Sequence, residues 1–298
     1  MRGIFEIAGG SVAGRDHVVA GRNNQDAFAW YQDEHATIAV VCDGCSEGPH
    51  SEVGAQLISR LLVEEIRSDL RHPIMSIMTD DRSSQEVPLT LPTDTSSFLY
   101  EVRGGVLPQV DMLARMMSRW PEDMESYRSV LTSHFLTTAV CVIIAPWGTV
   151  VCSIGDGYWG VNERLEEIGP FPKNEPPYLA YDLMITSGKL RTMPRPIFEI
   201  KALVPTDTIQ SVLIGTDGVG DLIAAADRTL PGKSEVVGPL AQFWTDDRYF
   251  RNPDMVRRRL TLINRESVRV EHGALVRVPG LLRDDTTLIA IRRRKEVA

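Results

Sequence analysis

Three Asp-Gly steps each close an apolar run, and this coincidence limits what the chain can fold into more than any other feature. Asp43-Gly44 follows the run 38–42, Asp156-Gly157 follows 150–155 and Asp217-Gly218 follows 212–216. A fourth acidic pair, Asp284-Asp285, opens the run 286–291. The runs are rich in Val, Ile, Thr and Cys, the composition of buried strands. A carboxylate at a strand end is held in place by the sheet, and a glycine beside it lets backbone or a phosphate approach. One Asp-Gly step alone reads as a turn. Three at strand ends, with an acidic pair at a strand start, read as an oxygen-rich cage for hard dications such as Mg²⁺ or Mn²⁺.

The chain has 298 residues, 43% of them hydrophobic and 24% charged, which fits one large α/β or α+β domain with a sizeable core. A net charge of −8 argues against nucleic acid as a partner, because phosphate backbones reward clustered Lys and Arg. Two basic clusters, Arg257-Arg258-Arg259 and the stretch 292–295, read as a solvated helix face and a solubilising tail. The N-terminus lacks a long apolar core, and the longest apolar stretch, 139–145, is far short of the roughly 20 residues that span a bilayer. No membrane association and a cytoplasmic location are expected. Cys42, Cys45, Cys141 and Cys152 then read as reduced structural thiols, although Cys42 and Cys45 form a C-x-x-C.

Along the chain, strands are expected over 4–12, 27–31 and 37–42, then a helix over 51–67 with apolar residues at three- and four-residue spacing. Residues 72–97 read as a surface insertion, and 106–130 as a helical region broken near Pro121. Strands follow over 137–144, 150–154 and 158–162. The stretch 169–196 carries six prolines and reads as a flap, with Tyr178 and Tyr181 offered to a partner peptide. Strands over 197–203, 211–215 and 286–292 and helices over 219–226 and 253–265 complete the pattern. Runs of strands interrupted by blocks of helices point to an α+β layered fold.

The motifs in order are Arg22-Asn23-Asn24-Gln25-Asp26, Val41-Cys42-Asp43-Gly44, Thr137-Thr138-Ala139, Gly155-Asp156-Gly157, Thr216-Asp217-Gly218-Val219-Gly220-Asp221 and Arg283-Asp284-Asp285-Thr286-Thr287. The series resembles the protein phosphatase 2C family of metal-dependent Ser/Thr phosphatases, especially its bacterial members, over about residues 10 to 292. The resemblance implies a four-layer α-β-β-α sandwich of two mostly antiparallel sheets flanked by helices, with two metals at one end between the sheets. It matches Asp43 to the carboxylate that bridges both metals, and Gly44 to the residue whose backbone carbonyl binds one of them. Asp217 and Asp284 match the other first metal-binding aspartates, and Asp26 the early acid that holds metal-bound water or the metal. Asp156 and Asp221 look like the positions of a third, weaker metal site.

The chain departs from the family pattern at four positions. An arginine that grips substrate phosphate commonly stands five residues before the early Asp; here that position is Gly21, and Arg22 is one step later. Cys45 stands where some members place a histidine, Gln25 where Glu is common and Asp285 where Asn is common. Among rival hydrolytic designs, a zinc-protease motif lacks support, since there is no H-E-x-x-H. The six histidines are scattered, with His17 and His50 flanking acidic segments. The resemblance therefore implies a single-domain protein phosphatase in which a hydroxide bridging two Mn²⁺ or Mg²⁺ ions attacks phosphoserine or phosphothreonine. A phosphorylated protein, opposed to a Ser/Thr kinase, is the implied partner. The alternative is a catalytically weak regulatory or phosphoprotein-binding module of the same fold.

Overall fold

The apolar runs pair antiparallel into two five-stranded sheets, in a computed structural model that describes residues 1–71, 95–185, 196–271 and 274–295. The chain opens with β1 (Phe5–Val12), α1 (Arg15–Ala20), β2 (Asp26–Gln32), β3 (Thr37–Asp43) and α2 (Ser51–Arg71). Two helices, α3 (Thr95–Met117) and α4 (Met124–Val130), precede β4 (Ala139–Ala145), β5 (Gly148–Ile154), β6 (Gly157–Val161) and β7 (Arg164–Ile168). A short α5 (Tyr181–Ile185), β8 (Glu199–Val204), β9 (Ser211–Gly215) and α6 (Val219–Ala224) follow. The last part holds α7 (Gln242–Thr245), α8 (Arg248–Arg251), α9 (Met255–Ile263), the hairpin β10 (Ser267–Glu271) and β11 (Ala274–Val278), and β12 (Thr286–Arg293).

One sheet has the order β1-β12-β9-β6-β7 and the other β2-β3-β4-β5-β8. Side chains alternate across a strand, and here both faces are covered. In β3, Ile38, Val40 and Cys42 join a core with α2 and α3, whereas Ala39 and Val41 meet the other sheet. In β12, Leu288 and Ala290 join a core with α6 and α9, whereas Ile289 and Ile291 face inward between the sheets. The result is the α+β, four-layer α-β-β-α sandwich. Double coverage explains why the strands read as unbroken apolar runs, each large aliphatic contributing about 1.5–3 kcal/mol by leaving water.

Several elements differ from the sequence reading. The helix expected over 106–130 begins earlier, at Thr95, continues through Pro108 and ends at Met117, before Pro121. Residues 95–97 of the expected insertion therefore belong to α3, and 72–94 lie outside the described residues. Strand β7 and the β10–β11 hairpin were not anticipated, because their sequences are charged and mostly solvated, with Ile168 the one buried residue of β7. Tyr178 and Tyr181 are not a contact surface for a peptide: both are buried in the α2–α3 core, edge to face at 5.2 Å. Residues 186–195 of the expected flap lie outside the described residues. Arg259 does not belong to a solvated face; it is buried and bonded to Glu235 and to the carbonyls of Val236 and Val237. Nor are Arg292 and Arg293 a tail, since they end β12 and Arg292 is buried.

Antiparallel geometry then decides where the acids go. Neighbouring strands run in opposite directions, so the end of one and the start of the next share a sheet edge. Strands β3 and β5 end where β2 and β4 begin, and Asp26 stands opposite Asp43 in register. In the facing sheet β9 ends where β12 and β6 begin, with Gly215 opposite both Leu288 and Tyr158. Acids far apart in sequence thus meet at one end of the sandwich.

Candidate active site

Four of the expected acids, Asp43, Asp156, Asp217 and Asp284, line one small cavity of about 50 Å³ with Gly44. The cavity opens beside a larger groove of about 460 Å³ that shares Asp217 and Asp284 with it. Asp26 is buried at the edge of the cluster, 5% exposed. Its Oδ2 accepts a 2.7 Å hydrogen bond from the Thr216 hydroxyl, while its Oδ1 is buried with no partner. Asp221 lines the groove, and its Oδ2 accepts from the backbone N–H groups of Arg283 at 2.5 Å and Asp284 at 3.0 Å. That contact fixes the backbone that presents Asp284.

Local sequence explains how each acid is aimed. Asp156 sits in the β5–β6 turn between Gly155, at φ 83°, and Gly157, at φ 137°, backbone states that side-chain-bearing residues rarely adopt. The Asp217 loop passes against the Asp285 carbonyl so closely that a Cβ on Gly218 would stand 2.0 Å from it. Asp43 ends β3, where the Thr137 hydroxyl and the Thr138 N–H donate to its carbonyl at 2.7 and 2.9 Å.

The electrostatics are one-sided. Burial, and then the charges of Asp26, Asp217, Asp156 and Asp284, push the Asp43 carboxyl well above the usual range. Asp26 is raised by burial and then by Asp285. Asp217 is raised to about 7 by burial, Asp284 and Asp156, although a hydrogen bond with the Asp43 carboxyl pulls the other way. Asp156 is raised to about 6 by burial and by Asp284. Asp284 stands at the exposed mouth, yet desolvation of its carboxyl still raises it. The charges that act most strongly on Asp43 are all negative, so the ionised cluster calls for a cation. The acids offer only oxygens, one Asp26 oxygen is buried and orphaned, and a His17 ring nitrogen lies within 4.8 Å of Asp284 and Asp285 oxygens, a mostly oxygen set that fits hard dications.

Two departures from the family pattern acquire structural meaning. Asp285 is 1% exposed and ties three segments together. Its Oδ1 accepts from the Gly14 N–H at 2.6 Å, its Oδ2 from the Gln25 N–H at 2.5 Å, and the same Oδ2 lies 2.9 Å from His17 Nδ1. The amide of Gln25 donates to the Gly48 carbonyl at 2.7 Å, a bond that a carboxylate could not make. His17, whose only signal in sequence was its place beside acidic segments, lines both cavity and groove. Tyr178, which the sequence reading offered to a partner peptide, instead lines the cavity, against Cys45. Arg22 lines neither space; its guanidinium donates to the Ser46 carbonyl, next to the cavity-lining Cys45. Cys42 is buried in the helical core against which Cys45 packs, and all four cysteines are free.

The profile of the family described as protein phosphatase 2C matches residues 13–252. No curated protein matches the chain. Solved structures similar to it include a bacterial serine phosphatase, at 14% identity over 99% of this chain and 100% of that one, with a TM-score of 0.45. The photosystem II phosphatase PBCP is 13% identical over 97% of this chain and 99% of that one, with a TM-score of 0.47. RsbX in complex with magnesium is 12% identical over 98% and 96%, with a TM-score of 0.43.

Proposed function

The chain belongs to the protein phosphatase 2C family, and from that premise we propose that it is a Mn²⁺- or Mg²⁺-dependent phosphatase of phosphoserine and phosphothreonine in proteins. The whole chain is read as one phosphatase domain. The observation that carries the reading is the convergence of Asp26, Asp43, Asp156, Asp217 and Asp284, whose ionised forms burial and mutual repulsion disfavour. Enzymes place strongly perturbed carboxyls where a cation or a proton must be handled.

In this reading Asp43, Asp217, Asp284 and the Gly44 carbonyl would hold two dications, with Asp26 beside them. Asp156 and Asp221 are the candidates for a third. Bound dications of this kind acidify water and offset charge on phosphoryl oxygens. The remaining work belongs to the chain. Thr216 holds one Asp26 oxygen and leaves the other free. Asp221 fixes the Asp284 backbone, and Asp285 ties α1, through His17, and the loop that carries Gln25 to the start of β12. Tyr178 walls the cavity with an aromatic ring and limits its water. Arg22, tied to the rim at Ser46, is the candidate grip for the substrate phosphate. The phosphorylated protein and the opposing kinase follow from the family's chemistry.

Hydrolysis of p-nitrophenyl phosphate and of a phosphothreonine peptide, each with and without Mn²⁺, tests the reading. Turnover of both that needs the metal is expected. Full turnover in excess chelator, or none with Mn²⁺, overturns it.

A further inference from the structure

Five exposed large apolar side chains lie along α3 and the start of α4. Tyr100, Met112, Met116 and Met117 of α3 are 69%, 56%, 76% and 47% exposed, and Met124 at the start of α4 is 37% exposed. The inner side of α3, through Leu99, Val102, Val106, Val110 and Ala114, is already committed to the core against α2. Its outer side runs Glu101, Gly104, Pro108, Met112 and Arg115, residues three or four apart that share one helix face. The middle of that face carries no charge. Gly104 has open space where a side chain would stand.

We propose that this face is the seam of a reversible homodimer, in which α3 packs antiparallel against α3 of a second copy about a two-fold axis at Pro108. Two-fold symmetry brings together residues equidistant from the axis. Gly104 then faces Met112, a hole opposite a long flexible side chain. Tyr100 faces Met116, a favourable thioether–aromatic pairing. Glu101 faces Arg115, opposite charges at both ends of the seam. Glu101 has no ion pair among the described residues. The Arg115 guanidinium is steadied by Asp111 at 2.8 Å and by the Trp120 ring at 4.1 Å, and its side chain remains 41% exposed. Charge complementarity at this seam matters because two copies of net charge −8 repel elsewhere. One helix face is smaller than the roughly 800 Å² per partner of stable complexes, so the dimer dissociates on dilution. The seam lies on the outer helical layer, whereas the acidic cavity lies between the sheet ends, so the proposal does not rest on the catalytic reading.

Sedimentation velocity of the full chain from about 1 to about 100 µM tests it, with affinity read from the change between monomer and dimer. A concentration-dependent dimer is expected. Glu101→Arg should weaken it about tenfold, because two exposed ion pairs become like-charge contacts. Arg115→Glu should do the same, and the double variant E101R/R115E should recover dimerisation. Met112→Glu should leave monomer throughout. Glu101→Arg breaks no ion pair among the described residues and only relieves repulsion on Asp69 of α2, so it carries the test even if Arg115→Glu perturbs α3; thermal melting checks each variant. A wild-type chain that stays monomeric across the range overturns the proposal and leaves the face to a different partner. So does a dimer indifferent to both reversals, or a double variant no better than the singles.

Discussion

Just before its start β12 carries Asp284 into a cluster of carboxyls raised by burial and by one another, whereas at its end Arg292 finds a carboxylate partner on each side. Arg292 is buried over the Phe250 ring at 4.1 Å, with Nε on Glu6 at 2.9 Å and Nη1 on Asp247 at 2.8 Å. Hydrogen bonds from Lys295 and Arg292 hold the Asp247 carboxyl down to about 2. The same strand therefore ends in a satisfied network and begins in an unsatisfied one. A charge cluster that exists only to stabilise a fold is paired within the chain. One left unpaired at the end of a rigid sheet lowers stability until something outside the chain neutralises it, and that marks the functional end.

The contrast breaks most decisively at Asp43. Asp43→Asn removes a central charge from the cluster, and hydrolysis should fall by about 10³-fold or more. The metal-free variant should melt higher than the metal-free wild type, because a source of repulsion is gone. Near-normal activity, or a lower melting temperature, would place the cage elsewhere.

Acidity sharpens the same contrast. Asp217 and Asp156 titrate in the folded chain near 7 and 6, above an unfolded aspartate near 3.9. Between those values the folded chain holds more protons than the unfolded chain, so metal-free stability is greatest below the window and is lost as pH rises through it. A tenfold difference in proton affinity between the two states is worth about 1.4 kcal/mol. Thermal melting of chelated protein should therefore give a higher midpoint at pH 5 than at pH 7.5. Mn²⁺ should raise the midpoint more at pH 7.5, where it competes with fewer protons. A chelated protein steadier at pH 7.5 would contradict the assignment of an unpaired cluster.

The opposite end should respond in stability alone. Arg292→Met keeps much of the packing over Phe250 but leaves Glu6 short of a partner, at a cost of about 1–3 kcal/mol in chemical unfolding. Turnover per folded molecule should not change. The smallest effect is expected at Arg22→Ala, which should raise KM for a phosphopeptide a few fold with kcat nearly unchanged, the pattern of lost uniform binding. Unchanged kinetics would leave the phosphate to the metals.

The acids themselves were legible early, because an aspartate closing an apolar run is a local pattern that needs no knowledge of the fold. Double-sided burial was legible for a similar reason: β3, β4 and β5 read as continuous apolar runs, as strands covered on both faces must. Features set by a distant neighbour were not legible. Arg259 and Arg292 look like surface charges until Glu235, Glu6 and Asp247 are folded against them. Tyr178 and Tyr181 sit in a Pro-rich stretch that suggests a flap, but the Leu179 N–H bonds to the Thr137 carbonyl and draws the segment into the core.

Which residues end strands is written locally in the chain, because apolar patterning and Asp-Gly steps act through local backbone geometry. Only the tertiary structure decided that these ends share one edge. Antiparallel pairing brings the end of β3 beside the start of β2 and the end of β9 beside the start of β12, across separations that no local signal records. It also decided the work of Asp285 and His17, since a 2.9 Å contact between residues in α1 and before β12 exists only after both sheets have closed.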